Sequence, residues 1–438
     1  MTRRYAVVGL GHRAQLYVDA LLGDWSDAGR IVAFCDTNRT RMDFYNELVV
    51  AAGRSPVPCH HPDDLDAVLA GADVLVVTTP DAFHARYVCA ALEAGVDVVV
   101  EKPLAIDAQG CARIAAAAER GDARLTVTFN YRYSPRNSAV RGILAAGRIG
   151  EVTSVHFEWT LDTVHGADYF RRWHRRRECS GGLLVHKSAH HFDLVNWWLG
   201  THPELVFAQT DLRFYGDAGA GAARAGAPRP PRAHGAPGLG GDPFLLDLAA
   251  DPRLKRLYLD AEHEDGYLRD RDVFTEGVTI DDTMSVLVRH ADRSVLTYSL
   301  TAHSPREGYR VAFNGTRGRL ELEVCERAWT PPRAAVDPTA AAGSPEAGAY
   351  ERLTLQEHWK EPEEIPVEQG AGGHGGGDAL LLDDVLRGPA DDPLARRAGL
   401  RDGLRSALTG IAAGISSRTG LPVRLADGGT RLADRGPA

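Results

Sequence analysis

The sequence predicts an α/β protein whose N-terminal part is a doubly wound parallel sheet. Three observations support this fold class. Short apolar segments, typical of buried parallel strands, alternate with helical segments over residues 1–128. The first of these segments runs into a glycine-rich turn, and the later ones end in polar clusters. Farther along the chain, apolar and polar residues alternate within short segments, which favours a second sheet with two distinct faces.

The composition is that of an ordinary globular protein. The 438 residues are 44% hydrophobic and 25% charged, and this length suits two or three domains. A net charge of −9 argues against a general nucleic-acid-binding surface, which would need a basic excess. The sequence has no run of about 20 apolar residues, so no membrane span is expected. The six cysteines are scattered without a CxxC pair, which indicates neither a disulfide framework nor a zinc knuckle.

The first strand is expected almost at the start, within residues 4–9, where no apolar signal region or cleavage site is visible. We therefore expect a cytoplasmic protein. The strand leads into G-x-G-x-x-A and then a helix over residues 14–22, an order typical of a dinucleotide-binding Rossmann domain. The first glycine permits a tight turn, the second lets the backbone approach a pyrophosphate, and the alanine keeps the helix close. The residues expected to contact the cofactor here are Gly9, Gly11, His12, Arg13 and Ala14.

A second apolar strand, over residues 31–35, ends at Asp36. An acidic side chain at this position can accept both ribose hydroxyls of NAD and would repel the 2′-phosphate of NADP. Arg39 follows closely and is the residue type that NADP sites use. On balance the sequence favours NAD over NADP.

Three more strands are expected over residues 72–79, 96–100 and 125–129. Each ends in a polar cluster, at the sheet edge where open α/β sheets bind their ligands. The side chains expected to contact the cofactor at this edge are those of Thr79, Pro80, His84, Glu101, Lys102 and Asn130, and Arg132 is expected at the substrate.

Together these motifs resemble the Gfo/Idh/MocA family of sugar and polyol oxidoreductases. The motifs that carry the resemblance are GLGHRA at 9–14, CD at 35–36, TTPDAFH at 78–84, EKPLA at 101–105, NYRY at 130–133 and a Gly-Gly…His…Asp stretch at 181–193. The resemblance spans most of the chain and is weakest over 216–275 and 327–370. It implies a Rossmann domain over 1–128 and an α/β domain over 129–438. The second domain would carry a large, open, mostly antiparallel sheet that often forms a dimer interface. NAD(P) would bind to the first domain, with a sugar-like substrate between the two.

By this resemblance, Lys102 of the EKP motif contacts the substrate hydroxyl and the nicotinamide region. A physical argument agrees, because a lysine at a strand end beside a cofactor can be desolvated and its pKa lowered into a useful range. The resemblance also makes Pro103 a candidate for a cis peptide bond.

A helix is predicted from about Val185 to Leu199, with Gly200 ending it. Three polar residues at positions i, i+4 and i+7 share one face of this helix. They are His186, His190 and Asp193.

In the family, this helix commonly carries an Asp and, four positions later, a His that takes the substrate proton. His190 matches that base, whereas His186 stands at the Asp position and is followed by Lys187. Asp193 belongs to the helix itself or orients a neighbouring histidine. Lys187 adds a second cation beside Lys102, which would suit an anionic oxygen or a carboxylated substrate. The two histidines also have a metal-capable spacing, but no third ligand is evident and we expect no metal.

Further substrate-binding candidates lie in two segments. An arginine-rich segment contains Trp173, on which a sugar ring can stack, with His174 and Arg175 beside it. Near the C-terminus, Asp378 follows three glycines and precedes a predicted helix. That carboxylate either holds a hydroxyl-rich ligand or caps a flexible hinge.

The second domain is expected to contain six strands, over residues 152–161, 204–214, 283–290, 294–302, 308–314 and 319–325. Two stretches rich in Gly, Ala and Pro, at 216–241 and 331–349, are expected to be loops or flexible inserts. The segment 242–275 is charged and a candidate helical region, and its part at 263–271 is a candidate lid over the site.

These observations predict an NAD-dependent oxidoreductase that transfers a hydride between NAD and a hydroxyl or keto group of a sugar, glycoside or cyclitol. The catalytic candidates are Lys102, His190, His186 and Lys187. One alternative is a redox-neutral glycoside hydrolase or lyase that oxidises a carbinol transiently and then restores the hydride. Another is a non-enzymatic NAD-binding sensor, which would need neither Lys102 nor His190. The expected partners are the small carbohydrate or cyclitol substrate and further copies of the chain in a homodimer or homotetramer, with no nucleic acid and no membrane.

Overall fold

The computed structural model describes residues 2–225, 228–237, 241–330, 348–368, 376–388 and 391–433. The strands are β1 (Arg3–Val8), β2 (Gly29–Cys35), β3 (Cys59–His60), β4 (Val74–Val77), β5 (Asp97–Val100), β6 (Leu125–Val127), β7 (Val152–Asp162), β8 (Pro203–Asp211), β9 (Thr283–His290), β10 (Val295–Ser304), β11 (Glu307–Gly315), β12 (Gly318–Arg327), β13 (Tyr350–Glu357), β14 (Glu363–Ile365), β15 (Val423–Ala426) and β16 (Arg431–Leu432). The α-helices are α1 (Ala14–Leu22), α2 (Arg39–Ala51), α3 (Leu65–Ala70), α4 (His84–Glu93), α5 (Ala108–Ala118), α6 (Pro135–Ala145), α7 (His165–Arg171), α8 (Arg177–Ser180), α9 (Leu183–His186), α10 (Ser188–Leu199), α11 (Ala220–Ala225), α12 (Pro252–Leu254), α13 (Glu262–Asp265), α14 (Gly377–Leu382) and α15 (Leu400–Thr419). None of the described helices is long and apolar enough to cross a membrane.

The first domain is a six-stranded parallel sheet in the order β3-β2-β1-β4-β5-β6. Alternate side chains of β1 enter two separate cores, because the sheet is covered on both faces. Tyr5 and Val7 pack with residues of α1 and α2, whereas Ala6 and Val8 pack with residues of α3, α4 and α5. This arrangement confirms the doubly wound fold predicted from the sequence.

The second domain contains a ten-stranded sheet in the order β14-β13-β12-β11-β7-β10-β9-β8-β15-β16. Only β7 and β10 pair in parallel, and the other neighbours are antiparallel. Along β7, Phe157 and Trp159 are buried while His156 and Glu158 are exposed. The buried face packs in one core with α10 and α15. The strand order and pairing confirm the predicted large, mostly antiparallel sheet.

The chain returns to the first domain after β14 and before the last two strands of the second sheet. Leu381 and Leu386 pack in the core that contains Tyr5. The Tyr5 hydroxyl donates a hydrogen bond to the Leu386 carbonyl at 3.1 Å. Val127 of β6 pairs through an antiparallel bridge with Ala398, which extends the edge of the parallel sheet. The first domain is therefore completed by residues far from it in sequence.

The described part of 216–241 differs from the flexible insert that its composition suggested. It includes α11, and Ala233 is 1% exposed. Arg229 forms ion pairs with Asp242 and Asp272, while Arg232 contacts Asp270 at 2.8 Å. These charge pairs hold a sequence of low hydrophobicity in place, which composition alone does not reveal. The second expected insert, 331–349, lies outside the described residues except for its last two positions.

Candidate active site

The glycine turn between β1 and α1 packs closely against the backbone at the end of β4. Gly9 has φ +85°, and a Cβ there would lie 2.5 Å from the Thr79 nitrogen at the end of β4. Only glycine fits both the conformation and the contact. Ala14 is fully buried at the start of α1, as expected if the helix packs tightly on the sheet.

The carboxylate that follows β2 faces this turn. Asp36 accepts hydrogen bonds from the Leu10 nitrogen at 2.5 Å and the Asn38 nitrogen at 2.9 Å. Burial raises the pKa of Asp36, an effect that the nearby Arg41 opposes. Arg39 points elsewhere, since its guanidinium is exposed and contacts Asp43 at 2.8 Å. This geometry fits the ribose of NAD and leaves Arg39 away from the position of a 2′-phosphate.

Two buried polar atoms at the same sheet edge fit a ligand site. Thr79 Oγ1 and Asn130 Oδ1 have no hydrogen-bond partner among the described residues. Buried polar atoms usually have partners, so a bound dinucleotide is a reasonable source of the missing ones. Asn130 donates its Nδ2 hydrogen to Asp378 at 2.7 Å, which brings together two candidates nearly 250 positions apart in sequence.

Two further cofactor candidates hold this edge together. The Glu101 carboxylate contacts Arg13 Nε and accepts the Tyr17 hydroxyl, both at 2.7 Å. Burial would raise the pKa of Glu101, but these two partners hold it below its usual value. His84 is fully buried, with its ring nitrogens 2.7 Å from the Pro103 carbonyl and 3.0 Å from the Thr79 carbonyl. The structure thus gives His84 a supporting position, where it joins the turns after β4 and β5. The Lys102–Pro103 peptide bond is cis.

At the end of β5, Lys102 meets His186 and Asp81. Lys102 Nζ lies 3.2 Å from His186 Nε2 and 3.0 Å from the His186 carbonyl oxygen. On the other side of the ring, His186 Nδ1 lies 2.5 Å from Asp81 Oδ2. The acidic group that the sequence lacks at position 186 is therefore supplied in space by Asp81, which follows the neighbouring strand β4.

Burial is the largest influence on the pKa of each of these three groups. It lowers the pKa of Lys102 to about 8, against the raising effect of Asp81 and Glu101. Burial, followed by the charge of Lys102, holds the pKa of His186 well below its usual value. Burial also raises the pKa of Asp81, which Lys102 opposes. A neutral imidazole joins the lysine and the carboxyl group as a result.

Aromatic side chains form one wall beside His186. The ring of His174 lies 4.2 Å from that of His186 and stacks on Trp173 at 3.6 Å. Tyr169 lies 5.5 Å from both histidines. The Nδ1 atom of His174 is buried and has no hydrogen-bond partner among the described residues, and burial lowers the pKa of this ring far below its usual value. His174 is thus a neutral ring in the wall beside His186.

A second wall contains Lys187 and His190. Lys187 lies between the short helix α9 and α10, so the single helix predicted from residue 185 is divided here. Its ammonium lies 5.0 Å from the ring of Trp159 and 5.6 Å from that of Tyr131. Burial lowers the pKa of Lys187 to about 8 while Glu307 opposes the shift. The His190 ring packs edge-to-face on Tyr131 at 4.7 Å.

Two predicted substrate-binding arginines have structural partners instead. Arg132 is 2% exposed and contacts Asp193 at 2.7 Å and Asp402 at 3.0 Å. Asp193 therefore holds an arginine rather than a histidine. Arg175 donates to the backbone carbonyls of Asp272, at 3.1 Å, and of Thr275 and Glu276, at 3.0 and 2.8 Å. Because these guanidinium groups are already satisfied by the protein, the structure assigns both to support of the second domain.

Sequence reasoning missed four residues that the structure places at this site. Asp81 lies within the TTPDAFH motif at 78–84. Because it follows β4, the strand beside β5, its position in the sequence could have indicated that it lies near Lys102. Tyr169 and Arg172 flank the histidines, and Arg172 contacts Asp168 at 3.0 Å. Tyr258 approaches the glycine turn from the second domain. The contact of Tyr258 with the turn joins segments distant in sequence and had no local signal.

The geometry agrees with two family models. The model described as "Oxidoreductase family, NAD-binding Rossmann fold" matches residues 3–129, and "Oxidoreductase family, C-terminal alpha/beta domain" matches residues 141–425. The chain belongs to the Gfo/Idh/MocA family. This Gfo/Idh/MocA protein is therefore an oxidoreductase whose first domain binds NAD.

Individual relatives are consistent with that membership. The protein is 32% identical over 436 residues to YteT of Bacillus subtilis (strain 168), named as an oxidoreductase, with 93% of each chain covered. It is 30% identical over 222 residues to an inositol 2-dehydrogenase of Rhizobium meliloti (strain 1021), covering 50% of this chain and 62% of that protein. The fold matches aldose-aldose oxidoreductase from Caulobacter crescentus, complexed with glycerol, at TM-score 0.61 and 16% identity, covering 97% and 100% of the two chains. Levoglucosan dehydrogenase, in complex with NADH and L-sorbose, matches at TM-score 0.62 and 15% identity, covering 97% and 99%.

Proposed function

We propose that this protein oxidises a hydroxyl group of a sugar, glycoside or cyclitol with NAD, or reduces the corresponding keto group with NADH. The observation that carries the proposal is the row Lys102–His186–Asp81 at the ligand-binding edge of the Rossmann sheet. The names of the relatives support the substrate class, since they include an inositol dehydrogenase and sugar oxidoreductases.

The row can hold a proton in two arrangements. In the first, a charged Lys102 donates to His186 Nε2, and His186 Nδ1–H donates to the Asp81 carboxylate. In the second, His186 Nε2–H donates to a neutral Lys102, and a protonated Asp81 donates to His186 Nδ1. The two arrangements differ by one proton moved from lysine to carboxyl group, while the ring stays neutral throughout. Buried lysine and aspartate groups with opposed shifts in pKa favour such an exchange.

Bound NAD supplies the acceptor for the hydride that leaves the substrate carbon. In oxidation, neutral Lys102 takes the proton of the substrate hydroxyl while Asp81 is ionised and His186 carries its hydrogen on Nδ1, which gives the first arrangement. Transfer of one proton from Lys102 to His186 Nε2 and of another from His186 Nδ1 to Asp81 then gives the second arrangement. Trp173 and His174 present a stacking face and a polar atom to the sugar ring. Lys187 and His190 form the opposite wall, where Lys187 binds a substrate oxygen and His190 serves as a further acid–base group.

The pH profile of oxidation tests the role of Lys102. The base form is the neutral amine, so kcat/KM should rise as pH increases through about 8, the lowered pKa of Lys102. Asp81→Asn removes a negative charge that raises this pKa, so the midpoint should move to lower pH. The same variant should lower kcat by about 10²-fold because the ring loses its carboxylate partner. An unchanged midpoint in Asp81→Asn would contradict the proposed row.

The substrate class is tested by incubating the protein with sugars, glycosides and inositols, with and without added NAD. Absorbance of NADH and release of free sugar are followed together. Net formation of NADH with one or more substrates supports the proposal. Cleavage of a glycoside without net NADH would instead support redox-neutral hydrolysis or elimination, and tight NAD binding without turnover would support a sensor.

A further inference from the structure

A tyrosine of the second domain reaches the glycine turn of the first. The Tyr258 hydroxyl oxygen accepts a hydrogen bond from the His12 nitrogen at 2.9 Å. A Cβ placed on Gly11 would lie 3.4 Å from the same oxygen. In Rossmann domains these backbone N–H groups at the start of the first helix face the pyrophosphate. The phenol oxygen therefore lies at the edge of the expected phosphate site, within hydrogen-bond distance of one N–H group of the turn.

The segment around Tyr258 is firmly packed on the first domain. We call residues 252–267 the strap. Leu257 and Ala261 are fully buried, and Leu254 is 2% exposed. Leu254, Leu257 and Tyr258 pack in the same core as the turn residue Leu10 and the α1 residue Ala14. A mobile surface loop would not bury two leucines and a tyrosine in the core of another domain.

Polar contacts fix the strap along the N-terminal end of α2. The Arg41 guanidinium donates to the Leu257 carbonyl at 3.0 Å and contacts Asp265 at 2.7 Å. Asn38 Nδ2 donates to the Ala261 carbonyl at 2.8 Å. These partners follow Asp36 directly in sequence, so the strap covers the side of the turn where the adenine-proximal ribose is expected.

The two ends of the strap are held by exposed clamps. Arg253 donates to Gln15 at 2.9 Å and to Asp19 at 3.0 Å, both on α1. At the other end, the Glu264 carboxylate accepts the Thr40 nitrogen at 2.8 Å. One clamp lies on each helix that borders the dinucleotide site.

Two arginines lie beside the ring of Tyr258, and each is paired with a carboxylate, Arg41 with Asp265 and Arg269 with Asp168. The guanidinium carbons of Arg41 and Arg269 lie 5.6 Å and 5.8 Å from the centre of its ring. Asp265, in contrast, lies with Asp36 on Arg41, so two carboxylates are present at the ribose side. Carboxylates at the ribose side disfavour a 2′-phosphate there, which agrees with NAD rather than NADP.

We propose that the strap is part of the dinucleotide site. It encloses the pyrophosphate and the neighbouring ribose, Tyr258 supplies a hydroxyl group to the pyrophosphate, and NAD is released only when the strap detaches. The proposal concerns the exchange of the cofactor and holds whatever the substrate is.

The first test loosens the clamps and measures how fast the cofactor leaves. Protein loaded with NADH is mixed with excess NAD, and the loss of energy transfer from tryptophan to NADH gives the dissociation rate. Arg253→Ala/Glu264→Ala should raise this rate about tenfold, because two exposed clamps are lost while the buried core of the strap remains. Arg120→Ala/Glu93→Ala is the matched control, since it removes an exposed ion pair of 2.7 Å elsewhere on the first domain. Equal rates in the two double variants would overturn the proposal.

The second test addresses Tyr258 without disturbing the fold. Tyr258→Phe should raise the Kd of NAD about fivefold, measured by calorimetry, because one hydrogen bond to the pyrophosphate is lost. Tighter binding would show that the hydroxyl competes with the phosphate, and unchanged binding that it takes no part. Either result would reject the assigned role. Hydrogen exchange of residues 252–267 should also slow when NAD is added, and the proposal fails if it does not.

Discussion

Lys102→Met is expected to lower kcat by about 10³-fold while the Kd of NAD changes little. The substitution keeps the length of the side chain and removes both the acceptor of the substrate proton and the contact with His186 Nε2. The groups expected to hold the cofactor at the glycine turn and at Asp36 contact other residues and not this amine. Steady-state rates with the best substrate of the panel, together with calorimetric titration of NAD, measure the two quantities.

Lys360→Met is the matched control for this prediction. Lys360 is exposed on the second domain and pairs only with Glu357 among the contacts described for its side chain. Its replacement should leave kcat unchanged. If Lys102→Met kept more than about a tenth of the activity, the proton would have to leave by another group, and His190 would then be the first residue to test.

Arg132→Met is expected to destabilise the protein by about 3–5 kcal/mol, the cost of leaving a buried carboxylate without its partner. The Arg132 and Asp193 side chains are 2% and 1% exposed, so little water reaches either of them. The midpoint of urea unfolding, followed by tryptophan fluorescence, measures the loss. The double variant Arg132→Met/Asp193→Leu should recover much of it, because both buried charges are then removed.

The same pair of variants decides between the two roles considered for Arg132. A structural arginine predicts a near-normal KM in the folded double variant. A substrate-binding arginine predicts the reverse, with a raised KM and an unfolding midpoint close to that of the parent protein.

The parts of the fold that the sequence predicted are those specified by local patterns. The strand–glycine–helix order at residues 5–22 and the acid at Asp36 are short-range features, and each was found where expected. The helix ending at Gly200 was found as well, because glycine there adopts a left-handed conformation that other residues disfavour.

The contacts that complete the site could not be predicted in this way. His186 appeared to lack a carboxylate because its partner Asp81 lies more than 100 positions earlier, at the end of a different strand. Residues 263–271 are predicted to form a lid, and no local pattern indicates that the preceding Leu257 packs in the core of the first domain. An arginine at this sheet edge is a residue type that often binds anionic ligands. Only the positions of Asp193 and Asp402 in the structure show that the charge of Arg132 is already compensated.

The return of the chain to the first domain has a consequence for biosynthesis. A ribosome releases the N-terminal residues first, and domains generally begin to fold as they emerge. Here the core around Tyr5 is completed only when Leu381 and Leu386 have been synthesised. The edge of the parallel sheet at Val127 is paired only when Ala398 has been synthesised. The nascent Rossmann sheet therefore exposes apolar surface and an open strand edge until residues 381–398 have been translated. Such an intermediate is a natural client for chaperones, and truncation before residue 381 should leave it aggregation-prone.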